Sequence, residues 1–198
     1  MAQPSRWRKI GMLLFLAMIV LGFTVPLFNL GGTSPGQQQH AAEPRLCQND
    51  ADCYLTCADT PLEVVCFQNL CQQNSCAEAA QYPYTTTPLT FQLHVNVNES
   101  ITPLSARSNP KDLFVKFTDN AVQVFSREFS LHLILHKAAI QFTPQCLILD
   151  SRTYCEDEKN SLLLNVNGQE SYLFGDYIPK EGDVVEISYG KKKSPELH

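Results

Sequence analysis

A long uncharged apolar stretch lies near the start of the chain. Residues 10–30 contain no charged side chain and consist mostly of Leu, Ile, Val, Phe, Met, Ala and Gly. A helix of about 20 apolar residues spans the roughly 30 Å hydrocarbon core of a bilayer. The pattern therefore predicts a transmembrane anchor at residues 10–30, which follows a short N-terminus at residues 1–9.

The distribution of basic residues predicts the orientation of this anchor. Arg6, Arg8 and Lys9 precede the apolar stretch, and no Lys or Arg follows it until Arg45. Because positive charge is retained on the cytosolic side, we expect a single-pass protein of the cell membrane, with a cytosolic N-terminus and the C-terminal part outside. The alternative is a cleaved signal peptide, whose apolar region is usually about 7–15 residues long. Both readings deliver residues beyond 30 to the same side.

A second pattern, of strict alternation, begins near residue 90. Phe91, Leu93, Val95 and Val97 fall on one face of an extended segment, and polar residues fall on the other, as in a half-buried strand. Similar segments at 112–117, 121–125, 161–165 and 184–189 are predicted strands. Helical spacing at residues 127–140, after Ser126 as a candidate N-cap, predicts one helix.

Residues 146–155 read as a hairpin. With Asp150 and Ser151 as a two-residue turn, Cys146 lies opposite Cys155, and a disulfide between them is plausible. The predicted order mixes strands with one helix, which is typical of an α+β fold. The core is expected to contain Phe91, Val95, Phe117, Phe129, Leu133, Leu164 and Ile187.

Between the anchor and the alternating region lies a cysteine-rich segment. The predicted divisions are a flexible linker at 31–45, a disulfide-rich module at 46–80, a linker at 81–89, the α+β domain at 90–190 and a tail at 191–198. The module contains six of the eight cysteines: Cys47, Cys53, Cys57, Cys66, Cys71 and Cys76.

The cysteine spacing favours disulfides over metal binding or redox catalysis. The module has no C-x2-C pair and no histidine, whereas zinc sites and disulfide-exchange sites usually contain such pairs. Six cysteines allow fifteen sets of three bridges. The few apolar residues of the module are too few to fold alone, so we expect crosslinks to supply stability.

Two segments resemble known families. The sequence CQNDADC resembles the C-x-x-D-x-D-C modules of many secreted proteins, a likeness that implies no particular activity. The stretch LLLNVNGQESYLFGDYIPKEGDVVEISYG, at residues 162–190, resembles the C-terminal half of β-grasp, ubiquitin-like domains. It is also similar to membrane-anchored extracytoplasmic prokaryotic proteins of unknown function. This resemblance implies a β-grasp domain with a mixed sheet and one helix.

The β-grasp resemblance does not extend to sulfur carriage. Sulfur-carrier proteins of this fold end in Gly-Gly, which is adenylated, but Gly190 stands alone here and eight residues follow it. ATP-dependent chemistry is also out of place outside the cytosol. Sulfur carriage and ubiquitin-like conjugation are therefore not expected.

Few residues point to chemistry. His132 and His136 are four residues apart on the predicted helix, a spacing that can hold zinc, but the glutamate of the metalloprotease motif is missing between them. His94 lies on the polar face of the first strand. These three histidines are weak candidates for a metal site. Asn98 begins a glycosylation sequon, Asn-Glu-Ser.

Charge and composition narrow the functional classes. The formal net charge is −5, and phosphate binding needs clustered Lys and Arg, so nucleic acid is not an expected partner. We expect no cofactor and no catalytic residues. The preferred hypothesis is a binding or scaffolding protein that meets the membrane through residues 10–30 and a protein partner at the cell surface. The alternative is a metal-handling protein or enzyme that uses the surface histidines.

Overall fold

The computed structural model describes residues 43–119 and 121–192. The predicted anchor at 10–30 lies outside these ranges, as do the N-terminus, most of the first linker and most of the tail. Within the described ranges, no helix reaches the length and apolarity needed to cross a bilayer. The described residues belong to one compact unit.

The cysteine-rich segment contains two small hairpins stapled by disulfides. The bridges join Cys47 to Cys66, Cys53 to Cys71 and Cys57 to Cys76, so that each of the first three cysteines pairs with one of the last three in the same order. The prediction of disulfide bonds is confirmed. The strands are β1 (Leu55–Cys57), β2 (Thr60–Leu62), β3 (Cys66–Phe67) and β4 (Leu70–Cys71), which pair as β1 with β2 and β3 with β4.

The rest of the described chain is a mixed sheet with one α-helix, as the α+β prediction required. The helix, α1, spans Leu131–Lys137. The strands are β5 (Leu89–Val97), β6 (Ser100–Ile101), β7 (Val115–Phe117), β8 (Val122–Val124), β9 (Gln141–Phe142), β10 (Cys146–Leu149), β11 (Arg152–Cys155), β12 (Asn160–Val166), β13 (Gln169–Glu170) and β14 (Val184–Lys191).

The main sheet has its first and last long strands at the centre. Its order is β13-β12-β14-β5-β8-β7, and β6 pairs with the end of β5. Strand β14 lies parallel to β5, with Ile187 opposite Val95, and every other pairing in this sheet is antiparallel. The short strands β9, β10 and β11 form a separate three-stranded sheet.

One face of the main sheet is apolar and packs with α1 and the small sheet in a single core. All seven side chains predicted for the core are buried there: Phe91, Val95, Phe117, Phe129, Leu133, Leu164 and Ile187. The alternation along β5 also has the predicted effect, because the four apolar residues of the alternating pattern are buried while the polar residues between them are more exposed. The period-2 pattern therefore identified the buried face of the sheet correctly.

The predicted hairpin at 146–155 is present. Asp150 and Ser151 form its turn with φ angles of 51° and 63°, the left-handed values of a two-residue hairpin turn. Cys146 lies opposite Cys155 and is bonded to it.

The helix prediction was too long at both ends. Before the helix, the Phe125 amide donates to the Phe114 carbonyl at 2.8 Å, so the extended backbone continues past β8. The Phe129 ring is buried against Tyr82 and Phe114, and the helix begins only at Leu131, after Ser130 and not after Ser126. The apolar residues 129 and 140 showed helical spacing because both enter the same core, although neither lies in the helix.

The helix ends early because its backbone reverses at Ala139. This residue has a φ of 56°, a left-handed conformation that costs a non-glycine residue about 1–2 kcal/mol. The Ile140 amide then donates back to the Leu135 carbonyl at 2.9 Å. The turn directs the buried Ile140 side chain into the core.

Asp50 joins the cysteine-rich segment to the larger domain. Its side chain is fully buried and pairs with Lys137 of α1 at 2.5 Å. Its two oxygens also accept hydrogen bonds from the amides of Cys66, Leu113 and Phe114 at 2.8, 2.9 and 3.2 Å. The first aspartate of the CQNDADC motif therefore crosslinks residues that are far apart in sequence.

The segment predicted as the second linker also packs on the larger core. The Tyr82 ring meets Phe129 edge-on with centroids 5.0 Å apart, and Tyr84 does the same with Phe114 at 5.2 Å. The Thr85 amide donates to the Phe125 carbonyl. In the described structure these contacts, together with Asp50, hold the cysteine-rich segment against the domain.

The residues that carry the β-grasp resemblance form a polar network around Asp183. The Asp183 carboxylate accepts hydrogen bonds from the Tyr177 hydroxyl at 2.5 Å, the Lys180 amide at 2.7 Å and the Asn167 side-chain amide at 2.9 Å. The Asn167 side-chain oxygen accepts from the Val184 amide at 2.9 Å. Asn167 and Gly168 have φ angles of 53° and 78° and form the β12–β13 turn. The motif thus fixes two loops beside the sheet.

This network predicts a loss of stability at alkaline pH. Burial, then the hydrogen bond to Asp183 and its negative charge, raise the pKa of Tyr177 from 10.0 to about 12. Between these values tyrosine ionises in the unfolded chain but stays protonated in the folded one, so stability should fall as pH rises from 10 to 12. Denaturant titrations across this range should show the decline. The Tyr177→Phe variant should show a shallower one, and equal slopes would contradict the prediction.

Candidate functional site

The solvent face of the main sheet forms an open polar groove. Three strands contribute outward-facing side chains to it: Asn96 from β5, Ser161, Leu163 and Asn165 from β12, and Glu186 and Ser188 from β14. The groove has a volume of about 950 Å³. These positions alternate with the buried residues of the same strands, so the core face fixes which side chains point into the groove.

Strand register sets the arrangement of side chains across the groove. Glu186 lies between Asn165 and His94, and Ser188 lies between Leu163 and Asn96. Adjacent strands are separated by about 4.8 Å, so the hydrogen-bonding side chains of each row are closely spaced. The result is a grid of mostly polar side chains on the sheet face.

Asn96 and Glu186 form a direct contact within this grid. The Asn96 side-chain amide donates to Glu186 Oε1 at 2.7 Å. The Asn96 side-chain oxygen is shielded from solvent and accepts no hydrogen bond within residues 43–119 and 121–192. A buried polar atom without a partner costs about 1–3 kcal/mol, so this asparagine is unfavourable for stability alone.

A second cleft adjoins the groove at the β5–β6 turn. It has a volume of about 670 Å³ and shares Asn98 and Ile101 with the groove. Arg107 and Asp150 line this cleft and form an ion pair of 2.7 Å. The rings of Tyr154 and Tyr189 lie 5.4 Å apart, and both pack against the main core.

The glycosylation candidate Asn98 occupies this turn. Asn98 and Glu99 have φ angles of 49° and 68°, and both are exposed. The Asn98 amide donates to the Tyr189 carbonyl at 2.8 Å. The side chain is thus accessible on a tight turn at the edge of the groove.

The three candidate histidines lie in two separate places. His94 belongs to the solvent face of the sheet, opposite Glu186. His132 and His136 lie on α1, where the Phe67 ring packs edge-on against both, with centroids 5.7 and 5.0 Å away. The two helix histidines therefore contribute to the contact with the cysteine-rich segment.

Electrostatics around α1 fit a packing role for these histidines. Burial, followed by the neighbouring charges of Lys137 and His132, lowers the pKa of His136. Burial raises the pKa of Asp112, whose carboxylate lies 3.3 Å from the Lys137 ammonium. Burial thus favours the neutral form of His136, which lies beside a buried ion pair.

Potential metal ligands converge only at cysteines within the described ranges. The single group of three such residues there is Cys47, Cys53 and Cys71, and the sulfur of each is bonded in a disulfide. A disulfide sulfur has no thiolate to offer a metal. The structure does not bring His94 together with His132 and His136.

Sequence reasoning missed most of the groove. It singled out Asn98 in the groove and His94 beside it, but not Asn96, Asn165, Glu186 or Ser188. The alternation of apolar and polar residues along each strand did indicate these side chains, because a strand with one buried face must present its other residues to solvent. The missing information was the neighbour relation between β5, β12 and β14, which brings three polar faces together.

No family model matches the chain, and no curated protein or solved structure is detectably similar to it.

Proposed function

We propose that this protein is a membrane-tethered binding protein that presents the sheet-face groove to a partner outside the cytosol. The observation that carries this proposal is the groove itself, a depression of about 950 Å³ on a rigid sheet, lined by convergent hydrogen-bonding side chains. Ligand sites are typically concave and have a few well-placed polar groups.

The membrane location rests on the sequence. Residues 10–30 have the length and composition of a bilayer span, and the preceding basic cluster favours a cytosolic N-terminus. Four disulfides support an oxidising compartment for the rest of the chain. The linker at 31–45 would then tether the groove near the membrane surface.

We further propose that the domain is a β-grasp domain. Its support is the topology: β5 and β14, the first and last long strands, pair in parallel at the sheet centre, β8 and β12 flank them, and α1 lies against one face. In this arrangement the face away from the helix is open, and it is the face that contains the groove.

Site-specific photocrosslinking in intact cells tests the proposed function. A benzophenone amino acid at Ser188, inside the groove, should form adducts on illumination. The matched control is Gln92, an exposed residue on the same sheet face and outside the groove. Protease added outside the cells should remove the labelled domain.

Two results would contradict the proposed function. Equal labelling at residues 188 and 92, or none at either, would show that the groove is not a binding surface. Protection of the domain from external protease would show that its orientation is wrong.

A further inference from the structure

The groove has the chemistry of a site for a neutral polyhydroxylated ligand. We propose, on the basis of the proposed function, that it binds a neutral oligosaccharide. Its polar lining consists mainly of amides and hydroxyls, which both donate and accept hydrogen bonds. Sugar hydroxyls do the same, so each can pair in either direction with Ser161, Asn165 or Ser188.

The charges in the groove disfavour an anionic ligand. Two carboxylates, Glu99 and Glu186, line it together with one ammonium, Lys191. Phosphate and carboxylate ligands are usually held by arginine forks or several cations. A strongly cationic ligand would need more acidic side chains than these two beside Lys191. A neutral ligand faces neither difficulty.

The Asn96–Glu186 contact explains why a costly asparagine occupies the strand. A β-branched apolar residue at position 96 would remove the buried oxygen that accepts no hydrogen bond from the described residues and would suit a strand better. Asn96 instead holds Glu186 Oε1 at 2.7 Å. The carboxylate is thereby fixed toward the groove, where it can accept strong charge-assisted hydrogen bonds from ligand hydroxyls. Asn96 is a positioning residue, and Glu186 is the proposed ligand contact.

The length of the groove favours a chain of several sugars. From Ser161 to Asn165 the groove follows β12 for about 13 Å, at a rise of about 3.3 Å per residue. The second cleft adjoins the groove at Asn98 and Ile101.

Binding of defined tetrasaccharides to the full chain tests the inference. The protein is placed in lipid nanodiscs free of glycolipid, and cellotetraose, tetra-N-acetylchitotetraose and maltotetraose are titrated by calorimetry and saturation-transfer NMR. At least one probe should bind. Glu186→Gln and Asn96→Val should each weaken binding at least tenfold, whereas the matched control Gln92→Val should change it less than twofold.

A stability measurement distinguishes a role of Asn96 in positioning Glu186 from a role in stabilising the fold. Asn96→Val should leave the melting temperature unchanged or raise it while binding is lost. A lower melting temperature with unchanged binding would overturn the positioning role. Absence of binding by all three probes, or equal binding by the Glu186→Gln variant, would overturn the oligosaccharide inference.

The two proposals fail in different ways. A discrete protein adduct at Ser188, together with no tetrasaccharide binding, would refute the oligosaccharide inference and leave the binding function standing. No adduct and no binding would refute both. Binding of a tetrasaccharide that blocks the Ser188 adduct would support both.

Discussion

Replacing Asp50 with alanine is expected to destabilise the protein by about 3–5 kcal/mol, the range measured when one partner of a buried ion pair is removed. The change leaves the Lys137 ammonium in a buried position, 3.3 Å from Asp112 alone. It also removes the acceptor for three amides, of which those of Cys66 and Phe114 are buried. Denaturant unfolding followed by circular dichroism measures the loss.

Asp52 provides the matched control, since it is the other aspartate of the same motif. Its carboxylate is exposed and accepts hydrogen bonds from the amides of Gln48 and Asn49 at 2.8 and 3.1 Å, and these bonds lower its pKa. Asp52→Ala removes only a local cap, so its effect should be clearly smaller. Equal losses for the two variants would show that Asp50 does not hold the two parts together.

A double variant tests the mechanism of the Asp50 effect. If the unpaired Lys137 ammonium causes much of the loss, Asp50→Ala combined with Lys137→Met should be more stable than Asp50→Ala alone. Additive losses would instead assign the effect to the orphaned amides. In either case the cysteine-rich segment should pack less tightly. Its disulfides should then be reduced faster by a mild reductant, and a thiol-reactive probe should label the released cysteines sooner.

Replacing Asp183 with alanine is expected to cost about 2–4 kcal/mol, because three donors lose their shared acceptor. These donors are the Tyr177 hydroxyl, the Lys180 amide and the Asn167 side chain. Thermal unfolding at neutral pH measures the effect. The alkaline decline assigned to Tyr177 should also become shallower in this variant.

The stabilisation of the fold by the Asp183 carboxylate should decrease at acid pH. Burial alone would raise the pKa of Asp183, but the hydrogen bonds from Tyr177, Asn167 and the Lys180 amide lower it below the ordinary 3.8. Because the pKa of Asp183 is lowered in the folded state, its carboxylate stabilises the fold above pH 3.8, and this stabilisation is lost as pH falls further. The difference in the free energy of unfolding between wild type and Asp183→Ala should therefore decrease below that pH. A difference that stays constant with pH would contradict the conclusion that the ionised carboxylate accepts these hydrogen bonds.

These two aspartates also show what the recognisable motifs do. Asp50 belongs to the C-x-x-D-x-D-C segment, and Asp183 belongs to the segment that resembles β-grasp domains. In the structure both accept hydrogen bonds from backbone and side-chain donors. The donors to Asp50 include the distant Leu113 and Lys137, and those to Asp183 lie within two neighbouring loops. Their roles are structural, which is why the motifs suggested a fold and named no reaction.

The sequence by itself determined the buried face of the sheet and the hairpin at 146–155. Both depend on local rules: period-2 alternation selects one face, and a two-residue turn fixes the pairing on either side of it. The same alternation assigned Phe91, Val95, Leu164 and Ile187 to the core. The sequence also predicted disulfides, because cysteine count and spacing limit the alternatives.

Only the tertiary structure decided the partners of these elements. The parallel pairing of β14 with β5 joins residues about 90 positions apart, and no local pattern encodes it. The same is true of the pairing among the first six cysteines and of the Asp50–Lys137 contact. The helix is shorter than predicted at both ends because the packing of Phe129 before it and of Ile140 after it overrode their helical spacing. The groove likewise exists only because three strands, each with an ordinary polar face, become neighbours in one sheet.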